Sequence, residues 1–282
     1  MRVLVTGAGG LLAAAIVREF ADADVHAVSH GELDIADVTA VGAAVARTRP
    51  DVIVNCAAYN DVDRAEQDAS TALRVNAFGV LALAHAARDA GGLLVHFSTD
   101  FVFDGEADRP YVEEDAPNPR SVYAASKLLG EWFAADVPSC YVLRVASLFG
   151  KPGPAGGRRG SLGVIIDRIR SGAEVPVFVD RTVSPSYTSD VARATRVAIE
   201  RRLPSGVYHC ANAGAGSWAE VGAEAARLLG RPFRMKPLTL ASAGLAAARP
   251  RYCALSPAKL AGLGIVMPPW QDALSRYISE GA

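Results

Sequence analysis

Cysteine is scarce and scattered. Four residues, Cys56, Cys140, Cys210 and Cys253, form no CxxC pair, which speaks against a zinc ribbon and for reduced thiols. Lysine is scarcer than its partner cation, with 4 Lys against 25 Arg in 282 residues. Charge of one sign is missing too. The formal net charge is −1, so composition offers no reason for a nucleic-acid partner or an anionic membrane surface. No run approaches the ~18 apolar residues of a membrane span. The apolar stretch in "MRVLVTGAGG" is too short for a secretory leader, so a cytoplasmic protein is expected. The five histidines (26, 30, 85, 96 and 209) show no metal-ligand spacing, and no required metal is expected.

Half of the residues are hydrophobic and 21% are charged, which suits a globule with a large core. Short β-branched runs, "RVLVT" (2–6), "DVHAV" (24–28), "DVIVNC" (51–56), "LLVHFS" (93–98) and "CYVLRVA" (140–146), alternate with Ala- and Leu-rich stretches at 11–20, 37–47, 66–90 and 122–135. Apolar runs without alternation describe strands buried on both faces, and strand–helix alternation implies a parallel sheet covered on both sides. The expected fold is therefore α/β, a Rossmann-like doubly wound parallel sheet over residues 1–150, with a smaller C-terminal α/β substrate lobe over 151–282. Some segments of the lobe would return to the sheet. Its elements are expected at 161–172, 175–179, 189–201, 206–210 and 217–229. "GKPGPAGGRRG" (150–160) separates the two parts as a glycine-rich loop.

"VLVTGAGGLLAAA" ends the first strand, turns on Gly7, Gly9 and Gly10, and opens a helix. Residues without a Cβ let the backbone approach a pyrophosphate, and the helix N-terminus supplies N–H donors. Ala13 stands where a third glycine is often found. An NAD-selective site usually has a carboxylate after the next strand, some 20 residues on. Ser29 and His30 stand there instead, with no carboxylate to repel a 2′-phosphate, so NADPH is expected over NADH.

"SVYAASK" (121–127) sets Tyr123 four residues before Lys127. Chance placement would supply roughly 0.1 such pairs. On a helix the two share a face, and an ammonium near a phenol makes it a better proton donor. An amphipathic helix with a half-buried Tyr and a solvated Lys would show the same spacing. "VHFSTDFVFDG" (95–105) adds hydroxyls at the end of a buried strand.

On "TGAGGLLA" (6–13), "LDIAD" (33–37), "RPDVIVNCAAYNDVDRAE" (49–66), "FSTDFVFDG" (97–105), "YAASK" (123–127), "SPSYTSDVA" (184–192) and "ARPRYCALS" (248–256), the chain resembles the extended short-chain dehydrogenases/reductases. Within them it is similar to the dTDP-4-dehydrorhamnose reductase family. The resemblance implies NADPH-dependent reduction of the 4-keto group of a nucleotide-linked 6-deoxysugar, by a monomer or homodimer. It makes Tyr123 the proton donor, Thr99 the hydroxyl that polarises the carbonyl, and Lys127 the holder of the nicotinamide ribose. Gly7, Gly10, Leu11 and Leu12 would face the pyrophosphate, Ser29 and His30 the adenosine ribose, and Asp34 and Ile35 the adenine. Ala57, Ala58, Tyr59 and Asn76 would lie along the cofactor, and Asp100, Val102, Ser147 and Arg249 on the substrate side.

Two departures fall on the sugar side. Family members often read R-T-S-W-V-Y-G where this chain has "RVASLFG" (144–150), which puts Ser147 at a tryptophan position. "DRTVSPSY" (180–187) replaces an Asp-Gln pair followed by Gly-x-Pro-Thr. Arg158 and Arg159 could hold a diphosphate, or stand in solvent. The resemblance also admits two other activities: a sugar-nucleotide epimerase with tightly held NAD, and a non-catalytic NADP-binding regulatory subunit like that of methionine adenosyltransferase.

Overall fold

The computed structural model describes residues 1–153 and 160–281. Five strands run β1 (Arg2–Thr6), β2 (Asp24–Val28), β3 (Val52–Asn55), β4 (Leu93–Thr99) and β5 (Cys140–Val145). The helices among them are α1 (Leu11–Glu19), α2 (Val38–Thr48), α3 (Val62–Gln67), α4 (Ala69–Leu73), α5 (Gly79–Asp89) and α6 (Val122–Ala135). A sixth strand, Gly206–His209, joins from the C-terminal half, and the sheet order is 206–209, β5, β4, β3, β1, β2. Every pairing in it is parallel.

Period-two side-chain alternation divides the sheet between two cores. Val3, Val5, Val54, Val95 and Leu143 pack on α1 and on helix Thr188–Glu200. Leu4, Ile53, Leu94 and Val142 pack on α2 and α5. The exception is β2, an edge strand with no buried residue, so its apolar run does not mark a strand covered on both faces. A separate core gathers Phe149, Leu162, Ile166, Trp218, Val221, Trp270 and Leu274. They come from strand Leu148–Phe149 and helices Gly160–Ser171, Trp218–Leu229 and Trp270–Ser279. Strand Met235–Leu238 and helices Ala258–Gly262 and Trp270–Ser279 carry no counterpart among the sequence expectations.

One expectation is corrected: residues 66–90 are not a single helix. Asp68 leaves helical geometry at φ −130° and its carboxylate accepts from Thr71 N, which caps α4. A π-helical turn, Arg74–Phe78, then precedes α5. Such turns insert one residue into the hydrogen-bond ladder and re-aim a side chain. Here that side chain is Asn76, whose Oδ1 accepts from Tyr59 N (2.8 Å) and whose Nδ2 donates to Tyr59 O (3.0 Å) and Ser126 Oγ (3.0 Å). Gly130 on α6 makes room, since a Cβ there would collide with the Asn76 carbonyl.

Candidate active site

Strand order reverses between β1 and β3, and the crevice beyond the strand ends at such a point is where ligands bind in open α/β sheets. Gly7 turns at φ +74°, and a Cβ there would lie 2.7 Å from Ala57 N, so only glycine lets the turns after β1 and β3 meet. Asn55 ties the neighbouring strand ends together. Its Oδ1 accepts from Thr6 Oγ1 (2.7 Å) and Ala57 N (3.1 Å), and its Nδ2 lies 3.0 Å from His96 Nδ1. Above them opens a cleft of about 480 Å³.

Gly9, Gly10, Leu11, Leu12 and Ala13 line that cleft. A Cβ on Gly9 would meet no protein atom within 4 Å, which leaves space beside the backbone. Gly10 caps α1 without a side-chain bond, so the first N–H groups of the helix keep their capacity to bind an anion. This cradle, with Ala57, Ala58 and Lys127 across from it in the same cleft, fits the pyrophosphate and ribose of a dinucleotide.

Ser121 caps α6 through Ala124 N (3.2 Å). From there one face carries Tyr123, Lys127 and Glu131 at successive four-residue steps, all buried. Tyr123 and Lys127 line the cleft with Thr99, the last residue of β4. The Tyr123 hydroxyl reaches Asn60 Oδ1 at 3.5 Å, and Phe101 packs edge-on at 5.9 Å between ring centroids. Thr99 Oγ1 accepts from Phe101 N (3.2 Å) and donates to Asp100 Oδ1 (3.0 Å). The other Asp100 oxygen is buried with no hydrogen-bond partner among the described residues. Lys127 donates from Nζ to the Phe97 carbonyl at 2.6 Å.

Burial sets the titration of these groups. It pushes the Tyr123 phenol up to about 12, while the Thr99 hydroxyl pulls it down, the Asp100 carboxyl pushes it up and the Arg249 guanidinium pulls it down. The expected lowering by Lys127 is not among these influences, and desolvating the phenolate costs more than its neighbours return. A phenol that stays protonated at neutral pH holds a proton to give. Burial also raises the Asp100 carboxyl, against the pull of Arg181. It brings Lys127 down to about 8, against the carboxylate of Glu131 and the thiol of Cys56.

In the unfolded chain Lys127 titrates at its ordinary 10.5. Between the two values only the unfolded state keeps the proton, so this group makes stability rise with pH across that window. For activity the sign is opposite, because the ammonium disappears as pH passes about 8. We expect kcat/KM to fall on the basic side with a midpoint near 8, while Tyr123 is still protonated. A pH–rate profile that stays level well into the range where Lys127 is neutral would contradict this.

The structure brings Gly10, Leu11, Leu12, Ala57, Ala58, Thr99, Asp100, Tyr123, Lys127 and Ser147 to one cleft. Gly7, Tyr59 and Asn76 stand behind it as backbone supports. Ile35 is buried against α5, and Val102 is fully buried in a small core with Phe103 and Tyr111, so neither side chain lines the cleft. Asp34 holds Arg74 at 2.7 Å. Arg249 is paired with Asp63 (2.8 Å) and lies over the Phe101 ring, beside the cleft rather than lining it. Arg158 and Arg159 fall outside the described residues.

Ser29 and His30 follow β2 as expected, yet a carboxylate is present there. Glu32 turns back onto Ser29, which corrects the expectation of none. Sequence reasoning also missed residues lining the cleft, among them Asn60, Phe101, Arg181 and Trp218. Arg181 stacks over Phe101 at 4.9 Å and is bonded to Pro250 O, with no carboxylate in ion-pair range among the described residues. Ser147 sits at φ +44°, a strained value for a residue with a side chain. Among the described residues no three His, Cys, Asp or Glu side chains gather as metal ligands would, and no helix is long and apolar enough to cross a membrane.

A family model described as the RmlD substrate binding domain matches residues 1–282. The chain is 37% identical over 287 residues to a dTDP-4-dehydrorhamnose reductase of Streptomyces griseus, covering 97% of this chain and 92% of that one. It is also 37% identical over 259 residues to a dTDP-4-keto-6-deoxy-D-glucose reductase of Streptomyces niveus, covering 90% and 88%. Among solved structures, a dTDP-4-dehydrorhamnose reductase from Bacillus anthracis in complex with NADP matches with a TM-score of 0.92 at 32% identity, over 99% of both chains.

Proposed function

The chain belongs to the family described by the RmlD substrate binding domain, and from that footing we propose that it reduces the 4-keto group of a nucleotide-linked 6-deoxysugar with NADPH, in the making of dTDP-L-rhamnose or a related deoxysugar. It is an oxidoreductase acting on a keto sugar. The observation that carries this reading is the meeting of Tyr123, Thr99 and Lys127 in the cleft that also holds the glycine turn.

NADPH, when bound, supplies the hydride for the carbonyl carbon. Tyr123 delivers its proton to the carbonyl oxygen, and its raised titration keeps that proton available at neutral pH. Thr99 donates a hydrogen bond to the same oxygen as negative charge develops on it, its hydroxyl turning from Asp100 Oδ1 to do so. Lys127 holds the nicotinamide ribose with its buried ammonium. Gly9, Gly10 and the first turn of α1 receive the pyrophosphate.

Residues 1–150 supply the dinucleotide half of the site, and the chain beyond supplies the sugar half, apart from the segments that return to the sheet. Arg181, Trp218 and Arg249, joined by Ser147 from the end of the first part, form the sugar and diphosphate side. Guanidinium groups suit phosphate oxygens, and the Trp218 ring offers the aromatic surface missing at Ser147. On this reading the enzyme works in the cytoplasm as a monomer or homodimer, with a dTDP-linked ketosugar as substrate and no nucleic-acid partner.

The test follows NADPH absorbance as the protein is given dTDP-4-dehydro-L-rhamnose generated in situ from dTDP-glucose. Steady oxidation is expected. Bound NADPH without oxidation would remove this ketosugar as the substrate. Oxidised NAD copurifying with the protein, with sugar nucleotides interconverted and no NADPH consumed, would overturn reduction in favour of epimerisation.

A further inference from the structure

We infer that Asp63 is a positioning residue for Tyr123, acting from outside the cleft by fixing the arginine that packs on the phenol's aromatic neighbour. The inference rests on the reading of Tyr123 as the proton donor.

The Tyr123 hydroxyl has only a long contact, 3.5 Å to Asn60 Oδ1, so its direction is set by what packs on the ring. Ala65 and Ala72 supply that packing, with Val62 and Phe101 at its margin. Val62 and Ala65 belong to α3, and Phe101 lies in the turn after β4, edge-on to the phenol. Phe101 is itself held by cations. The Arg181 guanidinium lies 4.9 Å from its ring centroid and the Arg249 guanidinium 5.9 Å. Both arginines come from the C-terminal half of the chain.

Arg249 sits in a strap, residues 247–252, that is pinned to the first half of the chain at both ends. At one end Tyr252 N donates to Gly105 O at 3.2 Å, and a Cβ on Gly105 would lie 2.6 Å from Arg251 N. At the other stands Asp63. Its Oδ1 accepts from Ala247 N at 3.0 Å and its Oδ2 from Arg249 Nη2 at 2.8 Å, while Arg249 Nη1 donates to Ala247 O at 3.1 Å. These bonds close a ring of side chain and backbone that fixes the guanidinium over Phe101. Arg249 is 11% exposed against 40% for Asp63, so the cation is the desolvated partner and relies on the carboxylate for compensation. Helix α3 thus works on two sides: Ala65 packs on Tyr123, and Asp63, two residues earlier, fastens the strap whose arginine packs on Phe101. A displaced strap reaches the phenol by both routes. Misplacement of a proton donor is felt in the chemical step, so the effect belongs in kcat.

The experiment compares Asp63→Asn with the parent in two ways: steady-state reduction of the ketosugar by NADPH, and the carbon spectrum of protein carrying tyrosine labelled with ¹³C at Cζ. The Tyr123 line is assigned as the one lost in Tyr123→Phe. Asparagine keeps an acceptor oxygen for Ala247 N and loses the charge that holds Arg249. The expected result is kcat lowered about tenfold with KM within about twofold. The Tyr123 line should shift or broaden while those of Tyr141 and Tyr208, outside the cleft, stay in place. Asp115→Asn, which breaks the Arg109 pair (2.7 Å) away from the cleft lining, should change neither kcat nor the Tyr123 line. Arg249→Gln should lower kcat as Asp63→Asn does, and the double variant should be no worse than either alone. A raised KM with kcat kept in Arg249→Gln would give that arginine to the substrate and overturn the inference. So would a lowered melting temperature in Asp63→Asn with kcat and the Tyr123 line unchanged. If the parent reduces no ketosugar, the reading of Tyr123 as proton donor falls, and the spectrum still decides whether Asp63 fixes the phenol.

Discussion

Tyr123→Phe should lower kcat by about 10²–10⁴-fold, the usual contribution of a positioned general acid, and leave NADPH affinity within about twofold. The two effects separate because of what the hydroxyl touches. The Tyr123 ring is held by Phe101, Ala65 and Ala72, and Phe keeps all of those contacts. The hydroxyl lies 3.5 Å from Asn60 Oδ1, a weak bond whose loss costs stability well under about 1 kcal/mol. What Phe removes is the proton. Steady-state rates, a dinucleotide titration and a thermal melt on the same preparation check the three expectations together. A rate within a few-fold of the parent would take Tyr123 out of the chemistry. An equal fall in rate and affinity would make it a packing residue of the cleft.

The parts of this molecule legible in the sequence are those that local chemistry dictates. The glycine turn, the ends of α6 and the buried strands follow from Cβ-free residues, a Ser121 cap and uninterrupted β-branched runs. The Tyr123–Lys127 face was visible because a helix converts four-residue spacing into adjacency. The same rule points to Glu131, one step further along, which went unread because its partner, Arg144, comes from β5.

What stayed hidden depends on contacts made across the fold. Nothing local marks Arg74–Phe78 as a π-turn; the turn forms where Asn76 satisfies both backbone groups of Tyr59 while α6 approaches at Gly130. Arg181 adjoins a strand two residues long, from which no periodicity can be read, and Trp218 opens an expected helix whose approach to the cleft only the fold decides. Glu32 was hidden by a turn. A carboxylate three residues past the expected position reaches back to Ser29 only once that turn closes. Ile35 and Val102 fail as cleft residues for the converse reason: a position inside a matching motif does not determine which side of the backbone faces the ligand.

The largest expected loss of stability is at Glu131. Its carboxylate and the Arg144 guanidinium are 3% and 4% exposed, so neither charge has water to fall back on. Arg144 donates from Nε to Oε1 (2.9 Å) and from Nη2 to Oε2 (2.7 Å), and Ser98 donates to Oε1 as well. Arg144 also stacks on Phe103 at 5.1 Å. Removing one partner of such a pair leaves a buried, uncompensated charge, so Glu131→Ala should cost about 3–5 kcal/mol, a fall in Tm on the order of 10 °C. Removing both charges, in Glu131→Gln with Arg144→Met, should recover much of that, because no orphaned charge remains. The same carboxylate supports the Lys127 ammonium. In Glu131→Gln the basic limb of the rate profile should therefore move below 8, the position it holds in the parent. A structural role alone would lower the melting temperature and leave that limb in place. A shifted limb would mean that the buried pair behind α6 tunes the cleft in front of it.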